Sequence, residues 1–377
     1  MVVQQMAELL NTITTEVIGE EAVVAEDLSN IVDLGASLFD NTSVDNYVRM
    51  LIDRIGKVVC VNRIYTMPYP DVMREAWEYG SVMQKIRAEL PDAEDNPSWG
   101  LQRGDTPNQF EFNPPTVVQK FFNQKSSFEI QMSFTELQVK ESFTSRTSMM
   151  SFISMIENAI QTSMTIKTTS VAQRAINHFI VSKINANNGI VNLLTMYNGS
   201  HPGQTTPLTA ETCRFNADFL RYAAMTIAMY RKRLSYASVL FNVGDIPTFT
   251  PDEYLRFVLN DEFAKAINVY MTSDTYHDDL VSLDGFKTIP YWQGTGESYA
   301  FADTTKIIAQ ANGSEEATTA SYVVGVMFDR DAIMVCNENY RVTSAYNARG
   351  EYINNFYKYD ISIFNDLNEN GIVFRLA

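Results

Sequence analysis

The chain has 377 residues, of which 45% are hydrophobic, so it is long enough for two or three domains and too apolar to be disordered. Its formal charge of −16 argues against tight binding to the phosphate backbone of nucleic acids, because such binding requires clustered Lys and Arg side chains.

Before residue 66 the spacing of apolar residues predicts two short amphipathic helices and a strand. The first helix covers residues 6–17. The second covers residues 44–55, with Ser43 as its N-cap and Gly56 as its end. A run of β-branched residues then predicts a strand over 58–65.

The segment 66–116 is rich in proline and carries four large aromatic residues. Its prolines exclude a long helix or a central strand, and loops of this length in compact proteins are usually functional or disordered. The aromatic residues argue against disorder and predict contacts with another subunit. They are Trp77, Trp99, Phe110 and Phe112.

The chain then returns through a strand and enters a long helix. Apolar and polar residues alternate over 128–134, which predicts a strand with one buried face, so residues 58–134 would form an extended arm. The helix is predicted over 147–185, about 55 Å long at ~1.5 Å per residue. Its Ser and Thr residues indicate a break near Thr168, and Gly189 fits the left-handed cap.

The basic residues of the long helix, Arg146, Lys167, Arg174 and Lys183, have only Glu157 as an acidic counterpart. They give the helix a mildly positive character in an acidic protein. A surface complementary to an acidic neighbour and a plain solvated face both fit this pattern, and we favour the solvated face.

An α/β region is predicted next. One helix would start at Thr209, and a strand would cover 236–243. The motif "TPDE" at 250–253 supplies an N-cap threonine and a first-turn proline, so a second helix is predicted there. Further strands are predicted over 285–292 and 321–328.

The closing residues read as strands joined by turns. Apolar and polar side chains alternate over 357–363, with turn residues "NARG" at 347–350 and "NENG" at 368–371. We expect the resulting sheet to join the strands near the long helix and to complete an earlier domain.

One tetrapeptide resembles a catalytic motif. "YHDD" places Asp278 and Asp279 side by side, as in the metal-binding turn of reverse transcriptases. The flanking residues are polar, whereas that turn lies between apolar strands, so a solvated acidic turn is the preferred interpretation. His178 is expected to be packed rather than catalytic. We predict no catalytic, cofactor-binding or metal-binding residue, and no cofactor.

The chain lacks the marks of export. Cys60, Cys213 and Cys336 lie far apart, and their odd number indicates a reducing compartment. Residues 1–19 contain no positively charged leader, and no apolar run reaches the length of a membrane span, so no membrane partner is expected.

Three stretches resemble major capsid proteins of tailed bacteriophages, in particular those of small salasmavirus-type podophages. They are "LIDRIGKVV" from Leu51, the strand-to-helix stretch "SSFEIQMSFTELQVKESF" with "FISMIENAI", and "YRVTSAYNARGEYINNFYKYDISIF" from Tyr340. The resemblance implies the Hong Kong 97-like α+β fold of phage shells. The implied parts are an N-terminal arm at 1–43, the start of the peripheral domain at 44–62, an extended loop (a long β-hairpin arm) at 63–140, the peripheral domain with its spine helix at 141–200, an axial domain at 201–338 and closing strands of the peripheral domain at 339–377.

The same resemblance implies a structural function. The chain would self-assemble as pentamers and hexamers into an icosahedral shell around DNA in the host cytoplasm, without catalysis. A separate scaffolding protein and the portal would be partners, because the N-terminal segment is too short for a built-in scaffold, and DNA would be touched only non-specifically. Because the sequence ends at its last predicted strand, we do not expect the C-terminal immunoglobulin-like domain found in some such proteins. The alternatives are a portal or tail component and, less favoured, a metal-dependent nucleic-acid enzyme using Asp278 and Asp279.

Overall fold

The computed structural model describes most of the chain from residue 125 onward and separate segments before it. The described residues are 7–8, 10–14, 24–25, 27–33, 72–75, 83–88, 96–106, 110, 112, 114, 116–122, 125–201, 207–272, 286–293, 306–311, 314 and 316–376. The helix predicted over 44–55 and the strand predicted over 58–65 lie outside them. The first predicted helix is confirmed at residues 10–14, where Leu10 and Ile13 are fully buried.

In the described part of the chain, a group of strands comes first, the helices follow with strands between them, and a second group of strands comes last. The strands are β1 (Met73–Glu75), β2 (Met83–Ala88), β3 (Val117–Phe122), β4 (Lys125–Thr135), β5 (Ile190–Asn192), β6 (Leu255–Asn260), β7 (Phe286–Ile289), β8 (Ile307–Gln310), β9 (Ala317–Ala320), β10 (Val323–Asp329), β11 (Ile333–Asn347), β12 (Tyr352–Asn365) and β13 (Gly371–Arg375). The helices are α1 (Glu136–Ser142), α2 (Arg146–Asn185), α3 (Leu193–Ser200), α4 (Ala217–Leu234) and α5 (Asp261–Thr272). Among the described helices, none is both long and apolar enough to cross a membrane.

One compact unit combines Met1–Glu78, Lys125–Ala172 and Val335–Ser362. Its sheet has the strand order β1-β11-β12-β4, and β4 pairs with β12 in antiparallel register. The alternation predicted over 128–134 is confirmed, because the apolar side chains of β4 face a core that also contains the buried stripe of α2. That stripe consists of Met149, Ile153, Ile156, Ile160 and Met164.

A second compact unit combines Tyr79–Gln124, Gln173–Met334 and Ile363–Ala377. Its main sheet has the order β5-β13-β10-β6-β7, with β10 buried along its whole length. The strand predicted over 321–328 is therefore confirmed as β10, and the one predicted over 285–292 as the shorter β7. The closing residues divide between two sheets: β12 pairs with β4 as expected, but β13 pairs with β10 and β5.

The long helix is confirmed, but it has no break near Thr168. The hydroxyls of Thr165, Thr168 and Thr169 each donate to the carbonyl four residues earlier, at 2.7–2.8 Å, so these residues satisfy their polar groups within the helix. The left-handed cap is Asn187 (φ 50°) rather than Gly189. The amide of Asn187 donates to Ile184 O and that of Asn188 to Lys183 O, which is the Schellman arrangement.

Gly189 is required for a different reason. It has φ +66°, and a Cβ atom there would lie 2.2 Å from the carbonyl oxygen of Gly371. The close approach of the Gly189 and Gly371 backbones lets β5 run beside β13. The amide of Val373 donates to Gly189 O at 2.8 Å. A side chain at this position would prevent the contact.

Three predictions in the α/β region are wrong. The helix expected from Thr209 begins at Ala217, because Asn216 rather than Thr209 caps it by accepting from the amide of Phe219. Residues 236–243 form a loop with a single bridge between Ser238 and Thr248 instead of a strand. The motif at 250–253 makes one turn and leads into β6.

The motif "TPDE" fails as a helix start because its threonine is used elsewhere. The hydroxyl of Thr250 donates to Asp329 Oδ2 at 2.8 Å, in a buried position, and so does not cap a helix. The residues after the turn are buried almost without interruption, which suits a central strand. The predicted helix residue Phe263 lies in α5, which starts only after β6 ends.

Candidate assembly surfaces

The strands β2 and β3 form a two-stranded antiparallel ribbon with two different faces. Lys85, Arg87 and Lys120 lie on the half-buried face, together with Val118 and Phe122. The opposite face is exposed and carries no charge: Gln84, Ile86, Ala88, Val117, Gln119 and Phe121. Side chains alternate between the faces of a strand, so the cations and the exposed apolar residues are separated.

The cationic face is bound by the turn at residues 366–370. Lys85 Nζ lies 2.9 Å from Asp366 Oδ2 and 2.7 Å from Glu369 Oε1. Lys120 Nζ lies 3.0 Å from Asp366 Oδ1, and Arg87 lies 3.4 Å from Glu369 Oε1. We call this set of ion pairs the ribbon latch.

The latch is partly shielded from water, which changes the titration of its members. Burial alone raises the pKa of Asp366, but the charges of Lys85 and Lys120 outweigh it and hold that pKa below its usual value. Burial alone lowers the pKa of Lys85, but the carboxylates of Asp366 and Glu369 outweigh it and raise that pKa. Both shifts show that each charge stabilises its partner.

The segment that joins the two ribbon strands carries the predicted contact residues. Trp99 ends a short 3₁₀ turn and is 94% exposed, and Phe110 and Phe112 are each 84% exposed. A turn lies between them, in which the amide of Gln102 donates to Asp105 Oδ2 at 2.8 Å. Trp77 lies outside the described residues. The structure therefore brings three of the four predicted residues to one exposed segment, the ribbon tip.

The basic residues of α2 do not all lie on a solvated face. Lys183 is fully buried, and its Nζ donates to Phe241 O at 2.7 Å and to Asn188 Oδ1 at 3.1 Å. Burial lowers the pKa of Lys183 to about 7, and the nearby charge of Asp366 opposes this shift. The prediction of a solvated lysine at this position is wrong.

The predicted absence of a catalytic site concerns Asp278, Asp279 and His178. Asp278 and Asp279 lie outside the described residues, and no group of three His, Cys, Asp or Glu side chains within the described part could hold a metal ion. His178 is packed as predicted, with Nδ1 2.9 Å from the side-chain nitrogen of Asn365. Burial and then the charge of Arg174 lower its pKa.

The sequence analysis did not predict the ribbon latch, although the spacing of its basic residues indicates one half of it. Lys85 and Arg87 are two residues apart in "MQKIRA", which places both on one face of a strand. The matching acids Asp366 and Glu369 lie in the turn before the last strand. Nothing in their sequence separation indicates that they meet, since Lys85 and Asp366 are 281 positions apart.

Comparison with known proteins identifies the fold. The chain is similar to a structure described as the capsid of Staphylococcus phage Andhra, with 7% identity, a TM-score of 0.52 and coverage of 84% of this chain and 86% of that one. It is also similar to a structure described as head fiber and inner core protein gp22 of native bacteriophage P68, with 9% identity, a TM-score of 0.54 and coverage of 82% and 85%. No curated protein sequence matches the chain.

The expected Hong Kong 97-like phage capsid fold is confirmed by these structures. The model of the Phi29-like phage major capsid protein family matches residues 10–375, which is nearly the whole chain. The members of this family are structural proteins of the virion that assemble into shells, not enzymes. The chain belongs to the Phi29-like phage major capsid protein family.

Proposed function

We propose that the chain forms the pentamers and hexamers of an icosahedral shell around phage DNA, and that the ribbon tip contacts a neighbouring subunit. The exposure of Trp99, Phe110 and Phe112 carries this proposal. Large aromatic side chains are costly to leave in water and dominate the binding energy of protein interfaces. Trp77 belongs to the same proposed contact.

The proposal includes the division of the chain into an arm at 1–43, peripheral segments at 44–62, 141–200 and 339–377, an extended loop at 63–140 and an axial domain at 201–338. The β2–β3 ribbon supports the hairpin character of the extended loop, since its strands pair antiparallel from Met83 with Phe122 to Ala88 with Val117. The continuous helix α2 (Arg146–Asn185) lies within the segment 141–200 and supports a spine helix there.

The partners follow from the same proposal. We expect a separate scaffolding protein and the portal to assemble with the shell in the host cytoplasm. The formal charge of −16 supports contact with packaged DNA that is non-specific and weak, because a strongly acidic surface repels phosphate groups.

Electron microscopy and light scattering of the purified protein test this function. The wild-type chain is expected to give closed, uniform particles or ring-shaped capsomers. The variant Trp99→Ala/Phe110→Ala/Phe112→Ala is expected to fold but to give at least tenfold fewer particles. A control variant carries Ala at Phe215, Val269 and Ile308, which are also exposed but lie outside the ribbon, and should assemble as the wild type does.

The outcomes separate the two parts of the proposal. If the tip variant assembles as well as the control, the tip contact is wrong while the shell function stands. If the wild-type chain stays monomeric, the experiment is repeated with the neighbouring structural genes of its phage co-expressed. Monomers in that experiment as well would overturn the shell function.

A further inference from the structure

A loop of the second unit exposes an unusual number of large apolar side chains. It covers residues 236–249, between α4 and β6, and we call it the 236–249 loop. Its exposed apolar residues are Tyr236, Val239, Leu240, Val243 and Phe249, with Leu240 69% and Phe249 56% exposed. Clustered exposed apolar side chains mark interaction surfaces more often than single ones do.

Asn242 holds this loop in a defined conformation from inside. Its side chain is fully buried, and Nδ2 donates to Ile246 O at 2.7 Å and to Thr248 Oγ1 at 3.0 Å. Its Oδ1 accepts from the amide of Ile246 at 3.1 Å. A buried amide with these partners fixes the loop, because any movement leaves its polar atoms unsatisfied.

The turn at 366–370 provides a second anchor. Thr248 Oγ1 donates to Asn370 Oδ1 at 2.6 Å, in a buried position. Along the backbone, the amide of Val243 donates to Leu367 O and that of Gly371 donates to Phe241 O, both at 2.9 Å. The 236–249 loop is thus ordered without needing its exposed apolar residues for its own stability.

The bridge between Ser238 and Thr248 sorts the side chains into two faces. Thr248 points inward and is buried, so its neighbour Phe249 and the bridge neighbour Val239 lie on the outer face. Their exposure agrees with this geometry, as both are open to solvent.

Basic residues lie next to this apolar surface in the sequence and structure. The last turn of α4 carries Arg231, Lys232 and Arg233, and this turn leads directly into the loop. Arg231 pairs with Asp252 at 3.4 Å, and Arg233 lies over the Tyr230 ring at 4.9 Å. Three successive cations stand out on a chain with a formal charge of −16.

We propose that the outer face of the 236–249 loop, together with the basic end of α4, is bound by a second copy of this chain. The family assembles from copies of one protein, and a chain of −16 charge supplies acidic surface to complement the basic turn. This contact is separate from the ribbon tip and rests on the proposed shell function. An apolar and basic face bound to an acidic surface of a second copy would be a head-to-tail contact, which generates a ring when its rotation closes.

Site-specific photo-cross-linking identifies the occupant directly. A benzoylphenylalanine side chain is placed at position 240 or 249, and particles are irradiated and separated by mass under denaturing conditions. We expect a covalent product of twice the chain's 42.7 kDa. The same side chain in place of Ile308, which is 48% exposed on β8, provides the background level.

Each result decides the inference. A product whose mass includes a different protein, or no product above background from intact particles, would overturn it while leaving the shell function intact. If the wild-type chain forms no particles even when the neighbouring structural genes of its phage are co-expressed, both the loop contact and the shell function are overturned.

A second variant tests the surface without a cross-linker. Leu240→Asp/Phe249→Asp adds two charges at exposed positions, so the subunit should keep the circular dichroism spectrum and melting temperature of the wild type. We expect at least tenfold fewer particles, because the two introduced carboxylates would face the acidic surface of the second copy in a contact that excludes water, where like charges repel. Ile308→Asp is the control, and equal assembly of the two variants would contradict the proposal.

Discussion

The β2–β3 ribbon and the 236–249 loop both display apolar side chains, and both are anchored to the turn at 366–370, but by different interactions. Ion pairs to Asp366 and Glu369 hold the ribbon. Buried neutral hydrogen bonds, through Asn370 and the backbone, hold the loop. Partly exposed ion pairs are screened by salt and can re-form after small movements, whereas a buried network tolerates no displaced partner. The comparison indicates a ribbon that can adjust and a loop that cannot.

Removing the centre of the loop network gives the largest expected effect. Asn242→Ala deletes the hydrogen bonds of a fully buried amide to Ser238, Ile246 and Thr248, and it leaves the amide and carbonyl of Ile246 each with one partner fewer. We expect the free energy of unfolding to fall by about 2–4 kcal/mol. Urea denaturation measures it.

Ser163→Ala is the control for this variant, because Ser163 is exposed on α2 and its change should stay within about 0.5 kcal/mol. A loss of the same small size in Asn242→Ala would show that the loop is not held by its buried amide, and the contrast with the ribbon would disappear.

Neutralising the centre of the latch should have a smaller effect, confined to the ribbon. Asp366→Asn removes the charge that pairs with both Lys85 and Lys120. We expect a loss of about 1–3 kcal/mol and faster amide hydrogen exchange in β2 and β3, with the loop unchanged. Raising the salt to 1 M should produce a weaker version of the same pattern in the wild type.

The matched control is Asp218→Asn, which removes an exposed ion pair of 3.5 Å with Arg221 on α4. Exposed pairs of this kind contribute ~0–1 kcal/mol. Uniform acceleration of exchange across the second unit in Asp366→Asn, rather than in the ribbon alone, would contradict a local latch.

Local patterns in the sequence were sufficient for the elements whose period is regular. The strand β4, the helix α2 and the alternation in β12 follow from the spacing of apolar residues, because one face of each packs on a core. Composition also predicted an arm-like excursion and singled out its aromatic residues as contact residues, and both stay predictions. The resemblance to phage capsid proteins supplied the fold, which spacing alone does not specify.

The remaining features depend on contacts between distant residues. Thr250 reads as a helix cap, but it donates to Asp329, which lies 79 positions away. Residues 236–243 read as a strand, but they belong to a loop held by distant contacts: the amide of Val243 donates to Leu367 O, and the Thr248 hydroxyl donates to Asn370, 122 positions away. Tertiary hydrogen bonds overrode local preference in both places, and both places belong to the anchoring of the proposed contact surface.

The smallest predicted effect concerns Lys183, an ionisable side chain that donates to the loop through Phe241 O. Its pKa is lowered to about 7 from an ordinary value of 10.5, so above pH 7 the unfolded chain binds a proton that the folded chain has released. Stability therefore rises with pH in this window, by about 1–2 kcal/mol between pH 7 and 8.5. Below pH 7 both states carry the proton and the contribution is constant.

Lys183→Met tests this assignment, since methionine fills a similar volume without a charge. We expect urea unfolding of the wild type to show the rise between pH 7 and 8.5 and the variant to lack it. The window ends there because burial raises the pKa of Cys213 to about 11, so thiol ionisation in the unfolded chain opposes the rise at higher pH. Parallel curves for the two proteins would mean that Lys183 stays charged. In that case a charged group would help to hold the loop, as charged groups hold the ribbon. The two regions would then differ only in how deeply their anchoring groups are buried.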